Sequence, residues 1–502
     1  MNTSYTKLSD IPVIVANARS SFNSKVSLPL SWRIEQLKGL RKFMLDNMEE
    51  IFLCIKNDLG RSKTEALIGE HLLCVTECDD AIANLSSWAS IRHVETNLVN
   101  LPAGSSIQYQ PKGVVLVASP WNFPFMLSIC TVIPALAAGN IVILKPSEVS
   151  EHSSRFLASA LPRYLDPRAV SFVLGGVAET SLLLKERFEH IIFTGSPSVG
   201  KIFMRAAAEH LTPCTLELGG KNPVIVDASA NLDLAAKSII WGRCLNTGQQ
   251  CLSPEYVLVD KKVEQELLIK MKAAITSFYG ENVEESPDLG RIINDSHFKR
   301  VKNLLKDHGG KIITGGEMNA STRFCSPTII TNPSQDSLLM NDECFAPILA
   351  VIGVDSVKEG VEKWVNTREK PLALYLFSSS SKVIDWVKKN TTSGGLTVNH
   401  CVVHITNGRL PFGGIGNSGM GSYHGEIGFQ ELSHKRSTIE FSSIIPNIPL
   451  FAVKPPFSGK FSILKMLLYL PGFLPSPGIK NILIVGLSCA CGVLVAKLYN
   501  KF

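Results

Sequence analysis

The chain has 502 residues, 45% of them hydrophobic and 19% charged, with 50 Lys and Arg against 44 Asp and Glu. This apolar content excludes a disordered chain, and the length allows several cores without metal or disulfide staples. The net charge of +6 is not a nucleic-acid footprint, because residues 441–502 hold six lysines and no acid, leaving residues 1–440 balanced at 44 of each sign.

In chain order, no secretory signal opens the sequence and Asn2 excludes N-myristoylation. The twelve cysteines have no regular spacing and read as reduced thiols facing the cytosol. Apolar residues at helical spacing predict helices over 33–50 and 65–88, punctuated by Pro29 and Gly60. Residues 95–109 read as a hairpin turning at Pro102-Ala103-Gly104. Then Val114–Ala118, Ile141–Lys145, 170–174 and 191–194 form short, mainly β-branched apolar runs separated by helix-length segments. Buried strands alternating with helices predict a parallel, doubly wound sheet. A second alternating region runs from Pro223–Val226 to 396–398, so the coarse expectation is two α/β domains and a protruding hairpin.

The end of the chain is different. Residues 461–470 are apolar almost all round and are separated by Pro471, Pro475 and Pro477 from 482–496, where Ser488 is the only polar side chain. As a helix, 482–496 reaches about 22 Å, or about 28 Å with its flanking residues, against a hydrocarbon core of roughly 30 Å. Lys480 and Lys497 bracket the run and can snorkel. Terminal position, lysine brackets and absence of acids favour a membrane-spanning tail over a buried core helix. A monotopic anchor formed by both segments remains open.

Open parallel sheets bind ligands outside the carboxyl ends of their strands. Lys145 ends one strand and runs into Pro146-Ser147-Glu148, a carboxylate that suits ribose hydroxyls and repels a 2′-phosphate. Gly195, Gly200 and Lys201 have Walker spacing, but Ile202 stands where a magnesium-binding Ser or Thr is needed. The segment therefore reads as a Gly-rich turn offering a helix N-terminus to a pyrophosphate. No G-x-G-x-x-G follows any strand, so the residues alone indicate a nucleotide site of unresolved type. No metal site is expected.

Three further motifs carry chemistry. In Ser119-Pro120-Trp121-Asn122-Phe123-Pro124-Phe125, prolines and aromatics surround one amide, Asn122, able to donate to a developing oxyanion. In Leu216-Glu217-Leu218-Gly219-Gly220-Lys221-Asn222, a lone carboxylate between leucines would have its pKa raised toward general-base duty. Cys251 follows the polar loop Asn246-Thr247-Gly248-Gln249-Gln250, unlike most other cysteines, which sit in apolar segments.

In this order, these motifs resemble the aldehyde dehydrogenase superfamily, from about Trp32 to Glu440. Residues 411–425, with Glu431 to Arg436, are similar to the class 3 branch, and the hydrophobic tail resembles its membrane-bound fatty aldehyde dehydrogenases. The resemblance implies that Cys251 is the nucleophile, Asn122 with the Cys251 N–H the oxyanion site, and Glu217 the base that activates water against the thioester. It also implies adenosine-ribose contacts at Lys145 and Glu148, a pyrophosphate turn at Gly195, Ser196 and Gly200, and nicotinamide-ribose contacts at Glu343 and Phe345. Ala346 departs from the family's Glu-x-Phe-Gly-Pro. Tyr423 and His424 fall near the substrate path, with plain packing an equal alternative.

The implied architecture is a Rossmann-like cofactor domain (1–88 and 110–214), an α/β catalytic domain (215–422) and a small β oligomerisation arm (89–109 and 423–442). A gatekeeper segment (443–479) and a tail anchor (480–499) follow. The expected activity is NAD(P)-dependent oxidation of medium- to long-chain aliphatic aldehydes by a membrane-anchored homodimer with its body in the cytosol. The endoplasmic reticulum is the first choice of membrane; the mitochondrial outer membrane and lipid droplets are compatible. Alternatives are another lipophilic aldehyde such as an apocarotenal, and an inactive scaffold. A CoA-acylating enzyme is disfavoured by Glu217.

Overall fold

The computed structural model describes residues 5–97, 100, 102–443, 454–462 and 465. These fall into two compact units, the first Met1–Trp88 with Pro111–His434 and the second Ala89–Gln110 with the chain from Lys435 onward.

The first unit holds two sheets. In one, the order is Gly419–Met420, Cys214–Leu218, His190–Gly195, Val114–Ala118, Ile141–Lys145, Val170–Phe172, parallel except for the Gly419–Met420 edge. Val114–Ala118 and Ile141–Lys145 are buried at every residue, as strands covered on both faces must be. The chain crosses from Val114–Ala118 first to one side and then back to His190–Gly195 on the other. That reversal opens a crevice at the strand ends carrying Ser119 and Gly195. The second sheet runs Lys311–Thr314, Thr328–Thr331, Ile348–Val354, Tyr256–Asp260, Pro223–Val226, Ala373–Phe377, Gly395–Val398, and only its first pair is antiparallel. The doubly wound α/β expectation is borne out.

Local chemistry sets the element ends. Gly60, at φ 69°, closes helix Met48–Leu59 in the left-handed region. Ser196 caps helix Pro197–Ala208, with proline at its first position. The helix expected over 33–50 is two helices, Leu30–Asp46 and Met48–Leu59, broken at Asn47. The helix expected over 65–88 is interrupted by a π-helical turn at Leu67–His71. The ten described cysteines are free thiols.

In the second unit, Arg92–Val94 pairs antiparallel with Gly104–Pro111, so the ribbon begins before the expected 95–109. Ser433–Glu440 completes this three-stranded sheet at its edge. The tail at 480–499 and most of 461–470 lie outside the described residues. Among the described residues, no helix is long and apolar enough to cross a membrane.

Candidate active site

Asn122 lies in the loop that leaves the central strand Val114–Ala118 and enters helix Met126–Ala137. The residue is buried, and its Nδ2 donates to the Gln249 carbonyl at 3.1 Å. Asn246 donates its own Nδ2 to the Asn122 carbonyl at 2.8 Å and to that of Gln249 at 3.0 Å. Among the described residues, one amide hydrogen of Asn122 has no acceptor and remains for a ligand.

The loop before Cys251 is conformationally demanding. Asn246, Thr247 and Gly248 have φ of 50°, 54° and 74°, three consecutive left-handed residues. A Cβ at Gly248 would lie 2.4 Å from the Ala346 carbonyl, so the loop passes against the segment that carries Glu343. Asn222 Nδ2 holds the loop from the other side, donating to the carbonyls of Cys251 at 2.6 Å and Ser253 at 3.0 Å. Cys251 itself is half-buried.

Burial pushes the Cys251 thiol well up, and the negative charges of Glu217 and Glu343 add to that. The backbone N–H groups of Cys251 and Leu252 pull it down. Burial and the two carboxylates thus oppose thiolate formation, and the two N–H groups favour it.

Glu217 sits on strand Cys214–Leu218, facing Thr194 on one side and Gly419 on the other. It is buried, and neither carboxyl oxygen has a hydrogen-bond partner among the described residues. Burial alone raises the carboxyl well above the usual range. An unpartnered buried carboxyl is costly for stability and is the expected signature of a group waiting for water or substrate.

Glu343 is the second carboxyl acting on the sulfur. Its Oε1 accepts the Gly220 N–H at 3.3 Å, and a Cβ at Gly219 would lie 2.2 Å from Oε2. Burial and then Glu255 push it up to about 8, against the opposing pull of the Gly220 N–H, Arg300 and Lys221. Phe345, at φ 49°, meets the Trp121 ring edge to face at 5.5 Å.

Lys145 and Glu148 pair at 2.7 Å where strand Ile141–Lys145 ends. Gly195 closes His190–Gly195, and Ser196 Oγ accepts the Val199 N–H at 3.4 Å to start the next helix. At Gly200 a Cβ would come within 2.9 Å of the Leu218 side chain, so this glycine lets the helix sit against the strand of Glu217. The Tyr423 hydroxyl is buried without a partner among the described residues and is pushed well up by burial and by Glu217, with Cys251 contributing. His424 turns to Glu77, its Nδ1 3.3 Å from Oε2 without the alignment of a hydrogen bond.

The structure brings Glu217, Glu343 and Tyr423 within electrostatic reach of Cys251 and ties the Asn122 loop to the loop before Cys251 through Gln249 and Asn246, while Lys145, Glu148, Gly195, Ser196 and Gly200 stand at strand tips and the helix start. The strand-end crevice, the exposed helix start and the Gly219 cradle fit a dinucleotide. Sequence reasoning missed Asn222 and the buried ion cluster of Arg61, Glu65 and Glu70. Only Asn222, inside a recognised motif, carried a signal.

A model described as the aldehyde dehydrogenase family matches residues 1–438. This chain belongs to the aldehyde dehydrogenase family. It is an NAD(P)-dependent aldehyde dehydrogenase. The chain is 45% identical over 422 residues to aldehyde dehydrogenase family 3 member A2 of Mus musculus, covering 84% of this chain and 87% of that one. It is 44% identical over 432 residues to the aldehyde dehydrogenase of Rattus norvegicus named dimeric and NADP-preferring, covering 86% and 95%. The substrate-bound state of Staphylococcus aureus AldH superposes with a TM-score of 0.88 at 36% identity, covering 91% of this chain and 99% of that one. The class 3 resemblance read from residues 411–425 agrees with the family 3 name of the mouse relative.

Proposed function

We propose that this dehydrogenase oxidises medium- to long-chain aliphatic aldehydes to carboxylic acids, with Cys251 as nucleophile, Asn122 as oxyanion donor and Glu217 as water-activating base. The observation that carries this reading is Glu217, buried, with both carboxyl oxygens unpartnered among the described residues.

The Cys251 thiolate attacks the aldehyde carbon, and the remaining Asn122 amide hydrogen and the Cys251 N–H stabilise the oxyanion of the thiohemiacetal. Bound NAD(P) supplies the acceptor for the hydride that leaves this carbon. Cys251 then carries a thioester. Glu217 takes a proton from water, the oxygen adds to the thioester carbon, and the carbon–sulfur bond breaks to return thiolate and release the acid. Lys145 and Glu148 would hold the adenosine ribose, Gly195, Ser196 and Gly200 the pyrophosphate, and Glu343 and Phe345 the nicotinamide ribose. Tyr423 would line the substrate path. Glu343 also acts on the sulfur, which favours a second reading in which it shares the base role.

The substrate class is supported by the apolar run at 482–496, because a lipophilic aldehyde partitions into a bilayer at about 0.8 kcal/mol per CH₂. A tail anchor would keep the site beside that reservoir, in our reading at the endoplasmic reticulum with the body in the cytosol. A homodimer is supported by the edge position of Ser433–Glu440, which suits strand addition by a second copy. A series of aldehydes of increasing length, with NAD and with NADP, tests the assignment on the full chain and on one lacking residues 443–502. Rising kcat/KM with length supports it; a flat or falling series rejects the substrate class.

A further inference from the structure

The ten-residue segment 61–70 carries two buried charges, Arg61 and Glu70, and a mostly buried third, Glu65. Arg61 follows the left-handed Gly60 and has no exposed side-chain surface. Its Nη1 donates to Glu70 Oε1 at 2.7 Å, its Nε to Glu65 Oε1 at 3.1 Å, and its Nη2 to the Glu65 carbonyl at 3.2 Å. Its guanidinium stands 4.7 Å from the centroid of Phe123, the neighbour of Asn122. The π-helical turn Leu67–His71 brings Glu70 inward, and a Cβ at Gly69 would lie 2.7 Å from Arg61 Nη2.

The remaining bonds of this cluster reach both sides of the site. Glu70 Oε2 accepts the N–H groups of Phe125 at 2.8 Å and Met126 at 3.2 Å, where helix Met126–Ala137 begins just after the Asn122 loop. Glu65 Oε1 accepts the Asn246 N–H at 2.6 Å, at the head of the Cys251 loop. Asn246 in turn donates to the Asn122 carbonyl. The circuit closes: one carboxylate anchors the amide loop, the other anchors the thiol loop, and Arg61 joins the two. Charge-assisted bonds of this kind are short and directional. A buried ion cluster is often replaceable by apolar residues without loss of stability, so its placement here points to positioning.

We propose that Arg61, Glu65 and Glu70 are positioning residues that hold the Asn122 amide and the Cys251 loop in the single register the oxyanion needs. This rests on the oxyanion role given to Asn122 above. The test uses full-length Glu70→Gln and Glu65→Gln, which keep shape and remove charge. Each should slow the single-turnover burst of NADH absorbance from aldehyde by about tenfold to a hundredfold, as small misplacements do. Alkylation of Cys251 by iodoacetamide, which makes no oxyanion, should change less than threefold, and the KM for NAD should be unchanged. A merely structural role would reduce burst and alkylation together, in step with the folded fraction seen by near-ultraviolet circular dichroism. In an Asn122→Ala background the Glu70→Gln effect should vanish, since both act on one interaction. Folded Glu70→Gln and Glu65→Gln enzymes with a full burst would overturn the proposal. If Asn122→Ala itself keeps the full burst, the oxyanion assignment fails instead. Should Glu70→Gln not fold, Glu65→Gln alone decides, because its carboxylate bonds Asn246 and Arg61 and leaves the Glu70 bonds to Phe125 and Met126 in place.

Discussion

Asn246 donates its side-chain amide to the backbone carbonyl of Asn122 at 2.8 Å, across 124 positions of sequence. The bond joins the loop of Asn122, the proposed oxyanion donor, to the loop of Cys251, the proposed nucleophile. Asn246→Ala should therefore lower kcat/KM for aldehyde by about tenfold to a hundredfold, the scale of a small misplacement of reacting groups. Steady-state kinetics on folded enzyme check this; an unchanged value would mean that the loops find their register without the bond.

The thiol provides a pH prediction. Glu217 and Glu343 both raise it by their negative charge. Removing either charge as Glu217→Gln or Glu343→Gln should move the midpoint of iodoacetamide alkylation at Cys251 down, by about one pH unit for a close charge. Raising the pH of wild-type enzyme should raise the alkylation rate through the alkaline range. A midpoint that moves up in Glu217→Gln would show the carboxylate pulling the proton off the thiol rather than repelling the thiolate.

Gly248 combines φ of 74° with a Cβ position 2.4 Å from the Ala346 carbonyl. Gly248→Ala should cost about 1–3 kcal/mol in backbone strain alone, with further cost from the clash. A lowered Tm together with lost activity is expected, whereas Gly104→Ala, in open space, should change neither.

At the proposed cofactor site, Glu148 lies on Lys145 at 2.7 Å and so occupies the cation a 2′-phosphate would seek. Glu148→Gln should raise kcat/KM for NADP relative to NAD by about tenfold, near 1.4 kcal/mol. Parallel cofactor titrations measure the ratio, and no change would remove this carboxylate from the selection of cofactor.

How much of this was readable beforehand depends on where each signal comes from. Strands such as Val114–Ala118 announce themselves because covered parallel strands must be apolar throughout. Asn122, Glu217 and Cys251 stand out because prolines, glycines and leucines isolate each polar group. Arg61, Glu65 and Glu70 do not, since charges at helical spacing look like a solvated face. Their burial arises from partners 55 and 181 residues away, Phe125 and Asn246. Likewise the break at Asn47 and the π-helical turn leave apolar periodicity nearly intact, so one helix was expected where the chain bends.

The central claim is that Glu217 finishes the reaction begun by Cys251, and trapping the acyl-enzyme tests it most directly. Glu217→Gln mixed with a fatty aldehyde and NAD should give a burst of NADH near one equivalent per active site and then stall. Intact-mass spectrometry should find the acyl group on Cys251. Continued turnover at the wild-type rate, with no acylated protein, would contradict the account and pass the base role to Glu343.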